Sequence, residues 1–320
     1  MKISVIIPVY KVEQYIERCT RSLMEQSLDE VEYIFVNDCT PDRSIDVLRC
    51  TLNDYPQRQS WVKIINNECN CGVSMTRAMG QRHAEGDYII HCDGDDWMEL
   101  DMLQTLYDTA ISKDSDIVYC DFYRSTSATY RQHVSQHCPL DALSQLKGIL
   151  TGMKQATMWN HLVKRSLYTS HQIMWPKANI LEDTMLLFQL CYYAKRIDYV
   201  GKPLYNYYIN PTSLTATPPT RNGIIKQWKE ALENTGYIYH FIEETGLMDE
   251  LKNEVNCQKL IFKNMIQGAI ATPADCKMWI NCHPELNRIL WTMPSESFKQ
   301  KVVAITIFLH IYPLIKKVFR

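Results

Sequence analysis

Apolar residues gather into five short runs over the first 121 residues: Ile3–Val9, Val31–Asp38, Trp61–Ile65, Tyr88–Cys92 and Ile117–Cys120. Their starts lie roughly 30 residues apart. Between them, segments such as Val12–Leu28, with Val12, Ile16, Cys19 and Leu23 on one stripe, and Ser74–Ala84 repeat at the helical period. Strand, helix, strand at this spacing predicts βαβ crossovers and a mainly parallel sheet. The runs are continuous rather than alternating, as expected of strands covered by helices on both faces. The fold class expected is therefore α/β, a Rossmann-like doubly wound sheet.

Beyond residue 121 the pattern loosens. Leu140–Leu150 and Thr184–Ala194 are helical, and Tyr205–Tyr208 is a strand running into a turn at Asn210-Pro211. Thr215–Thr220, with two prolines, is a linker. From Asn222 onward the pattern is helical, through Ile224–Glu244, Leu251–Ala271 and the tail. Three segments result: an α/β part over 1–121, a second part over 122–215 that completes its domain, and a helical C-terminal extension over 216–320.

Composition narrows the function classes. A chain of 320 residues, 46% hydrophobic, can bury the core of about two domains, or of one with an appendage. Its net charge of −2 offers no basic excess for tracking phosphates, so no nucleic-acid partner is expected. The twelve cysteines are scattered, with no C-x-x-C pair; Cys276, Cys282 and His283 lack zinc-ligand spacing. The apolar run in residues 1–10 is short and ended by Pro8, unlike a secretory signal. Reduced, mostly buried thiols in a cytoplasmic protein are the expectation.

In an open parallel sheet, ligands bind beyond the carboxyl ends of the strands. The first run ends in Pro8-Val9-Tyr10, the second in Asn37-Asp38, and the fourth runs into Asp93-Gly94-Asp95-Asp96. Carboxylates brought to one edge repel one another unless a cation or hydrogen-bond donors share the site, and a hard divalent ion suits oxygen ligands. Asp114-Ser115-Asp116 has the same D-x-D spacing, but it precedes the fifth strand and lies at the wrong end of the sheet. Ordinary turn chemistry is expected there. The bland alternative for Asp93–Asp96 is a solvated turn capping the next helix.

The blocks SVIIPVYKVEQYIERCTRSLMEQS, EYIFVNDCTPDRS and NCGVSMTRAMGQRHAEGDYIIHCDGDDWMELDML together resemble the family 2 glycosyltransferases, which are inverting, metal-dependent enzymes of the GT-A fold. The resemblance runs over residues 3–110 and resumes at Trp159–Arg165 and from Ile180 to Leu214. It implies that Pro8, Val9, Tyr10 and Asp38 hold the base and ribose of a nucleoside-diphosphate sugar. Asp93 and Asp95 become the D-x-D pair around Gly94, with Asp95 the direct ligand of Mn²⁺ or Mg²⁺ and Asp93 nearer the ribose. Arg77 reaches either the nucleotide or the acidic cluster; a salt bridge that holds the Asp93 loop is the alternative. Asp183, in the pair Glu182-Asp183, becomes the general base, across the reacting carbon from the Asp93 loop. On the residues alone, that pair reads as first-turn acids favoured by a helix dipole. Lys11, Cys39, Cys71 and His161 depart from the family's usual residues. Trp97, Trp159 and Trp175 are candidate sugar-stacking surfaces, with core packing the more common fate of a tryptophan.

The resemblance therefore implies an enzyme that moves a sugar from a UDP- (ahead of GDP-) type donor to a glycan or lipid-linked acceptor of a bacterial surface polysaccharide. The alternative is a non-catalytic nucleotide-sugar-binding subunit. A nucleotidyltransferase is disfavoured because Val9-Tyr10-Lys11-Val12 lacks a glycine-rich phosphate loop. The tail, KQKVVAITIFLHIYPLIKKVFR over 299–320, is apolar with basic flanks and too short to span a bilayer. It suits peripheral contact with the inner face of the plasma membrane. A helix docked on the protein body and an interface of a homo-oligomer are the other readings.

Overall fold

The computed structural model describes residues 1–126, 130–210, 220–292 and 297–316. The chain divides into two compact units, Met1–Thr217 and Pro218–Arg320. The linker expected at 215–220 falls almost wholly outside the described residues.

The first unit is built on a nine-stranded sheet in the order β3-β2-β1-β4-β8-β6-β9-β5, with β7 beside β6. Strands β1 (Ile3–Val9), β2 (Val31–Asn37), β3 (Val62–Asn66) and β4 (Tyr88–His91) are parallel neighbours. The continuous apolar runs of β1 and β2 are buried almost throughout, since helices cover both faces. The intervening helices are α1 (Ile16–Met24), α2 (Ser44–Leu52) and α3 (Val73–Arg82). Helix α1 starts later than its apolar stripe predicts because the backbone ahead of it is spoken for. The amides of Val12 and Glu13 donate to Ser44 Oγ and Asp42 Oδ2 of the loop after β2.

Past β4 the sheet becomes mixed. A two-residue strand β5 (Trp97–Met98) and helix α4 (Met102–Lys113) lead to β6 (Ile117–Ser125). The fifth run does not pair with the fourth: β8 (His161–Lys164) lies between β4 and β6, antiparallel to both. Strand β9 (Ile197–Tyr208) runs parallel to β6 along its whole length, with register shifts near Asp121 where Gly201-Lys202-Pro203 breaks the apolar pattern. That interruption hid its first half from the sequence. The remaining elements are β7 (Arg131–Val134), α5 (Ala142–Thr151), α6 (Arg165–Ser170) and α7 (Glu182–Tyr193).

The second unit is helical: α8 (Arg221–Glu244), α9 (Met248–Met265), a 3₁₀ turn Ile266–Ala269, α10 (Pro273–Asn281), α11 (Leu286–Ile289), α12 (Phe298–Phe308) and α13 (Tyr312–Ile315). It has its own core around Trp228, Trp279, Leu286 and Ile307. All twelve cysteines are free thiols.

At the amino ends of the parallel strands a buried carboxyl ties the chain together. Glu32 accepts from Ser4 Oγ and the amides of Glu85 and Gly86, and pairs with Lys63. Burial pushes this carboxyl up, but those partners outweigh burial and hold it below its ordinary value. Gly86 has no room for a side chain, because a Cβ would stand 2.6 Å from the Ser4 nitrogen and 2.7 Å from the Ile3 carbonyl carbon. Gly86→Ala should cost about 1–3 kcal/mol of stability. Urea unfolding tests this, through a lowered midpoint at unchanged slope.

Candidate active site

The loops that follow β1 to β4 meet at the carboxyl edge of the sheet. Their first residues extend the ladder: the Asp38 amide donates to the Val9 carbonyl (3.0 Å), Asn67 to Asn37 (2.9 Å) and Cys92 to Ile6 (3.0 Å). Asp38 is nearly fully buried and ties two of these loops together. Its Oδ1 accepts from Asn67 Nδ2 (2.9 Å) and the Cys71 amide (2.8 Å), and its Oδ2 from the Gly72 amide (3.0 Å). Gly72, at φ +83°, then starts α3, and a Cβ there would overlap the side-chain amide of Asn179. Glycine is the one residue that suits both the backbone angle and the close approach.

One turn into α3, Arg77 is only 3% exposed. Its Nη2 donates to Asp93 Oδ1 (2.6 Å), and its Nη1 to Asp183 Oδ1 (2.6 Å) and Glu182 Oε1 (3.1 Å). A single guanidinium thus joins the loop after β4 to the first turn of α7. Burial would lower its pKa, but the facing Asp183, Asp93 and Glu182 more than offset that and raise it. One positive charge cannot neutralise three carboxylates. Burial, reinforced by Asp183, pushes Glu182 up to about 8. Burial also raises Asp183, with Arg77 opposing the shift. The second oxygen of Asp183 accepts from the Met158 amide (3.1 Å).

The four residues after Cys92 divide between two tasks. Asp96 is buried and structural: Tyr205 Oη and the Tyr208 amide both donate to it at 2.7 Å. The Asp93 amide in turn donates to Tyr205 Oη (3.0 Å). Asp95 is bracketed from two elements. Arg18 of α1, stacked on Trp97 at 3.8 Å, donates to its carbonyl (2.7 Å), while Asn210 Nδ2 donates to its Oδ2 (3.1 Å). Burial, then the charge of Asp93, raises the Asp95 carboxyl above its usual range.

A cleft of about 360 Å³ opens over this edge, and Pro8, Tyr10, Asp38, Asp93, Gly94 and Asp95 all line it. Val9 does not reach it, since its side chain alternates into the core. Arg77 does not line it, its guanidinium being given to the three acids, and neither does Asp183. Asp183 is held beside Asp93 through Arg77. Trp97 and Trp159 are buried, the latter stacked on Tyr205 at 4.4 Å; Trp175 is half-buried against Tyr168. Asp114 and Asp116 do turn chemistry: Asp114 caps α4 in the left-handed region, and Asp116 accepts from the amides of Lys195 and Arg196. Sequence reading passed over Arg18 and Asn179, and took Asn210 only for part of a turn. Arg18 lies off the apolar stripe of its helix and carries no motif, and Asn179 lies in an aperiodic stretch whose one signal was its nearness to Glu182-Asp183.

Comparison with known proteins bears on the same residues. The profile of "Glycosyl transferase family 2" matches residues 4–182, more than half of the chain. The protein belongs to glycosyl transferase family 2. The match ends one residue short of Asp183. The chain is 32% identical over 224 residues to the uncharacterized glycosyltransferase EpsJ of Bacillus subtilis, covering 68% of this chain and 63% of that protein. It is 26% identical over 280 residues to the uncharacterized glycosyltransferase YibD of Escherichia coli, covering 83% and 75%. Among solved structures, S. aureus TarS 1–349 in complex with UDP-GlcNAc superposes with a TM-score of 0.60 at 17% identity, over 88% of this chain and 87% of that one. The mannosyltransferase PcManGT of Pyrobaculum calidifontis, in complex with GDP-Man and Mn²⁺, gives 0.57 at 12% identity, over 99% and 87%. The fold is therefore the GT-A type, as the family resemblance implied, with the helical C-terminal region that the apolar pattern predicted.

Among the described residues, no group of three or more His, Cys, Asp or Glu side chains forms a ready metal cage. The donor set nonetheless fits a hard divalent ion bound together with a substrate. Such ions often take one or two carboxylates, with phosphate oxygens and water completing the shell. Burial first and the charge of Asp93 second raise the Asp95 carboxyl, and a cation there would favour its ionised form.

Glu182 gives this family 2 site a pH signature. A carboxyl raised in the folded state adds stability that is complete below its unfolded value and is lost as the pH rises through its folded value, here about 8. The thermal midpoint of ligand-free protein should therefore fall as the pH is raised from about 5 to about 9. Glu182→Gln should flatten that slope, which calorimetry across the range would measure.

Proposed function

We propose that this glycosyltransferase moves a sugar, with inversion, from a nucleoside-diphosphate donor to a glycan or lipid-linked acceptor in surface polysaccharide synthesis, with UDP ahead of GDP as the carrier. The observation that carries the reading is the single guanidinium of Arg77 bonded to both Asp93 and Asp183. It couples the acidic edge of the donor cleft to a partly buried carboxylate of raised pKa. TarS bound to UDP-GlcNAc and PcManGT bound to GDP-Man and Mn²⁺ support a nucleotide-sugar donor in this fold. A poly(ribitol-phosphate) beta-glucosyltransferase of Bacillus spizizenii, 34% identical over 120 residues (37% of this chain and 18% of that protein), supports a polymeric acceptor. In this reading residues 1–121 hold the donor and 122–215 the acceptor. The enzyme works on the cytoplasmic side, peripheral to the inner face of the plasma membrane.

The chain's own residues would act as follows. The loop organised by Asp38, with Pro8 and Tyr10, receives the base and ribose, and Asp93 lies nearer the ribose. Asp95, with Asp93, would hold Mn²⁺ or Mg²⁺, which supplies charge neutralisation for the departing diphosphate. Asp183 accepts the proton of the acceptor hydroxyl as its oxygen attacks the anomeric carbon. Its raised pKa suits that role, because a base near neutrality takes a proton with less penalty than an ordinary carboxylate. Arg77 keeps Asp183 ionised and oriented between donor and acceptor, and the Met158 amide fixes its other oxygen.

Purified protein, a panel of UDP- and GDP-sugars, Mn²⁺ and a glycan acceptor provide the test. Asp183→Asn should lower kcat by about a hundredfold or more while leaving donor affinity within a few-fold. Asp95→Ala should abolish the dependence on metal along with turnover. Donor binding with no turnover in the wild-type protein would favour the non-catalytic binding subunit instead.

A further inference from the structure

The C-terminal apolar segment has two faces with different fates. At 3.6 residues per turn, Val303, Ala304 and Ile307 fall on one side of α12, and all three are buried in the core of the second unit. Phe298, Ile305 and Leu309 fall within about 40° of one another on the opposite side. They are 83%, 47% and 62% exposed, and Leu314 of α13 adds a fourth side chain at 83%. The helix is thus docked on its unit and still presents an apolar face to solvent. Docking satisfies the inner face alone, so the outer face needs a separate account.

The charge around that face decides what covers it. From Ser297 to Arg320 the sequence holds Lys299, Lys301, Lys316, Lys317 and Arg320 and no acidic residue. Lys299 is exposed and Lys301 half-exposed beside Phe298, while Lys316 is turned back to the Ile270 carbonyl (2.8 Å). A second copy of the chain would bring two such basic segments together with no acid between them, which disfavours a self-complementary interface. An anionic lipid surface offers both an apolar interior to the four side chains and negative charge to the lysines. Among the described residues no helix is long and apolar enough to cross a membrane, so the segment would lie in the interface plane.

We propose that the outward face of α12, with Leu314, docks the protein on an anionic bilayer surface. The inference deepens the peripheral membrane placement given above and rests on that reading for the choice of surface, but its geometry comes from the second unit alone. Apolar insertion and lysine attraction act together, so removing either weakens binding without touching the donor cleft.

Co-sedimentation of the full chain with vesicles tests it, with turnover measured in parallel on a soluble acceptor. The protein should pellet with phosphatidylcholine vesicles containing phosphatidylglycerol and stay in solution with phosphatidylcholine alone. The triple change Phe298→Ser, Leu309→Ser, Leu314→Ser and the double change Lys299→Glu, Lys301→Glu should each weaken binding at least about tenfold. Both should leave the thermal midpoint and soluble-acceptor turnover unchanged, since all these side chains lie outside the core. Undiminished vesicle binding by the triple variant would overturn the proposal. So would a wild-type dimer by light scattering that the triple variant abolishes, with no vesicle binding. Loss of turnover in the wild-type protein with vesicle binding intact would instead count against the transferase reading and leave the docking face standing.

Discussion

A cation sealed beneath a cluster of acids is the constraint on which the first unit turns. Arg77 sits on α3, and its three carboxylate partners come from two other places in the chain, the end of β4 and the start of α7. Desolvating a guanidinium is costly, and removing its partners or the cation itself would leave buried charge uncompensated at about 3–5 kcal/mol. The structure answers that cost with geometry: two of the three contacts are 2.6 Å long, and the excess negative charge is reduced by Glu182, whose carboxyl holds its proton to about pH 8. Asp93 after β4 and Asp183 in the first turn of α7 are thereby placed relative to each other by one guanidinium fork.

The carboxylates of the carboxyl edge fall into two groups by their hydrogen bonds. Asp38 and Asp96 are spent on architecture, one closing the Asn70-Cys71-Gly72 turn and the other fixed by Tyr205 and Tyr208. Asp93, Asp95 and Asp183 keep lone pairs for chemistry: Asp93 and Asp95 are each held through one carboxylate oxygen, and Asp183 through both, by Arg77 and the Met158 amide. Arg18 and Asn210 position Asp95 from α1 and from the end of β9. Support of this kind from rigid elements is what the proposed metal and diphosphate site would require. At the opposite edge of the parallel strands, Glu32 is satisfied by its neighbours and serves stability alone.

Local patterning carried a good part of this into the sequence. The four parallel strands were legible from their apolar runs, and the strand-end rule separated Asp93–Asp96 from the same spacing at Asp114–Asp116. Strand β8 was not legible, because four residues with one charge carry no periodicity and its place between β4 and β6 is decided by tertiary pairing. The first half of β9 was hidden by Gly201-Lys202-Pro203. The Arg77–Asp93 half of the bridge was among the readings of the sequence, but the half to Glu182 and Asp183 was not, since those partners lie more than a hundred positions away. Val9 was named with its neighbours by the family motif, and only the structure shows its side chain turned into the core. In the tail, apolar and basic character was visible, whereas the existence of two apolar faces needed the packing.

Arg77→Lys is the substitution that bears most directly on the central claim. A lysine keeps the positive charge but presents one point of contact, so it cannot hold Asp93 and Asp183 at once in the observed geometry. Steady-state kinetics of sugar transfer by this variant, at saturating metal, should show both a higher KM for the donor and a kcat reduced by about tenfold or more. Wild-type values for both constants in a folded Arg77→Lys protein would contradict the claim that one buried guanidinium sets the two halves of the site.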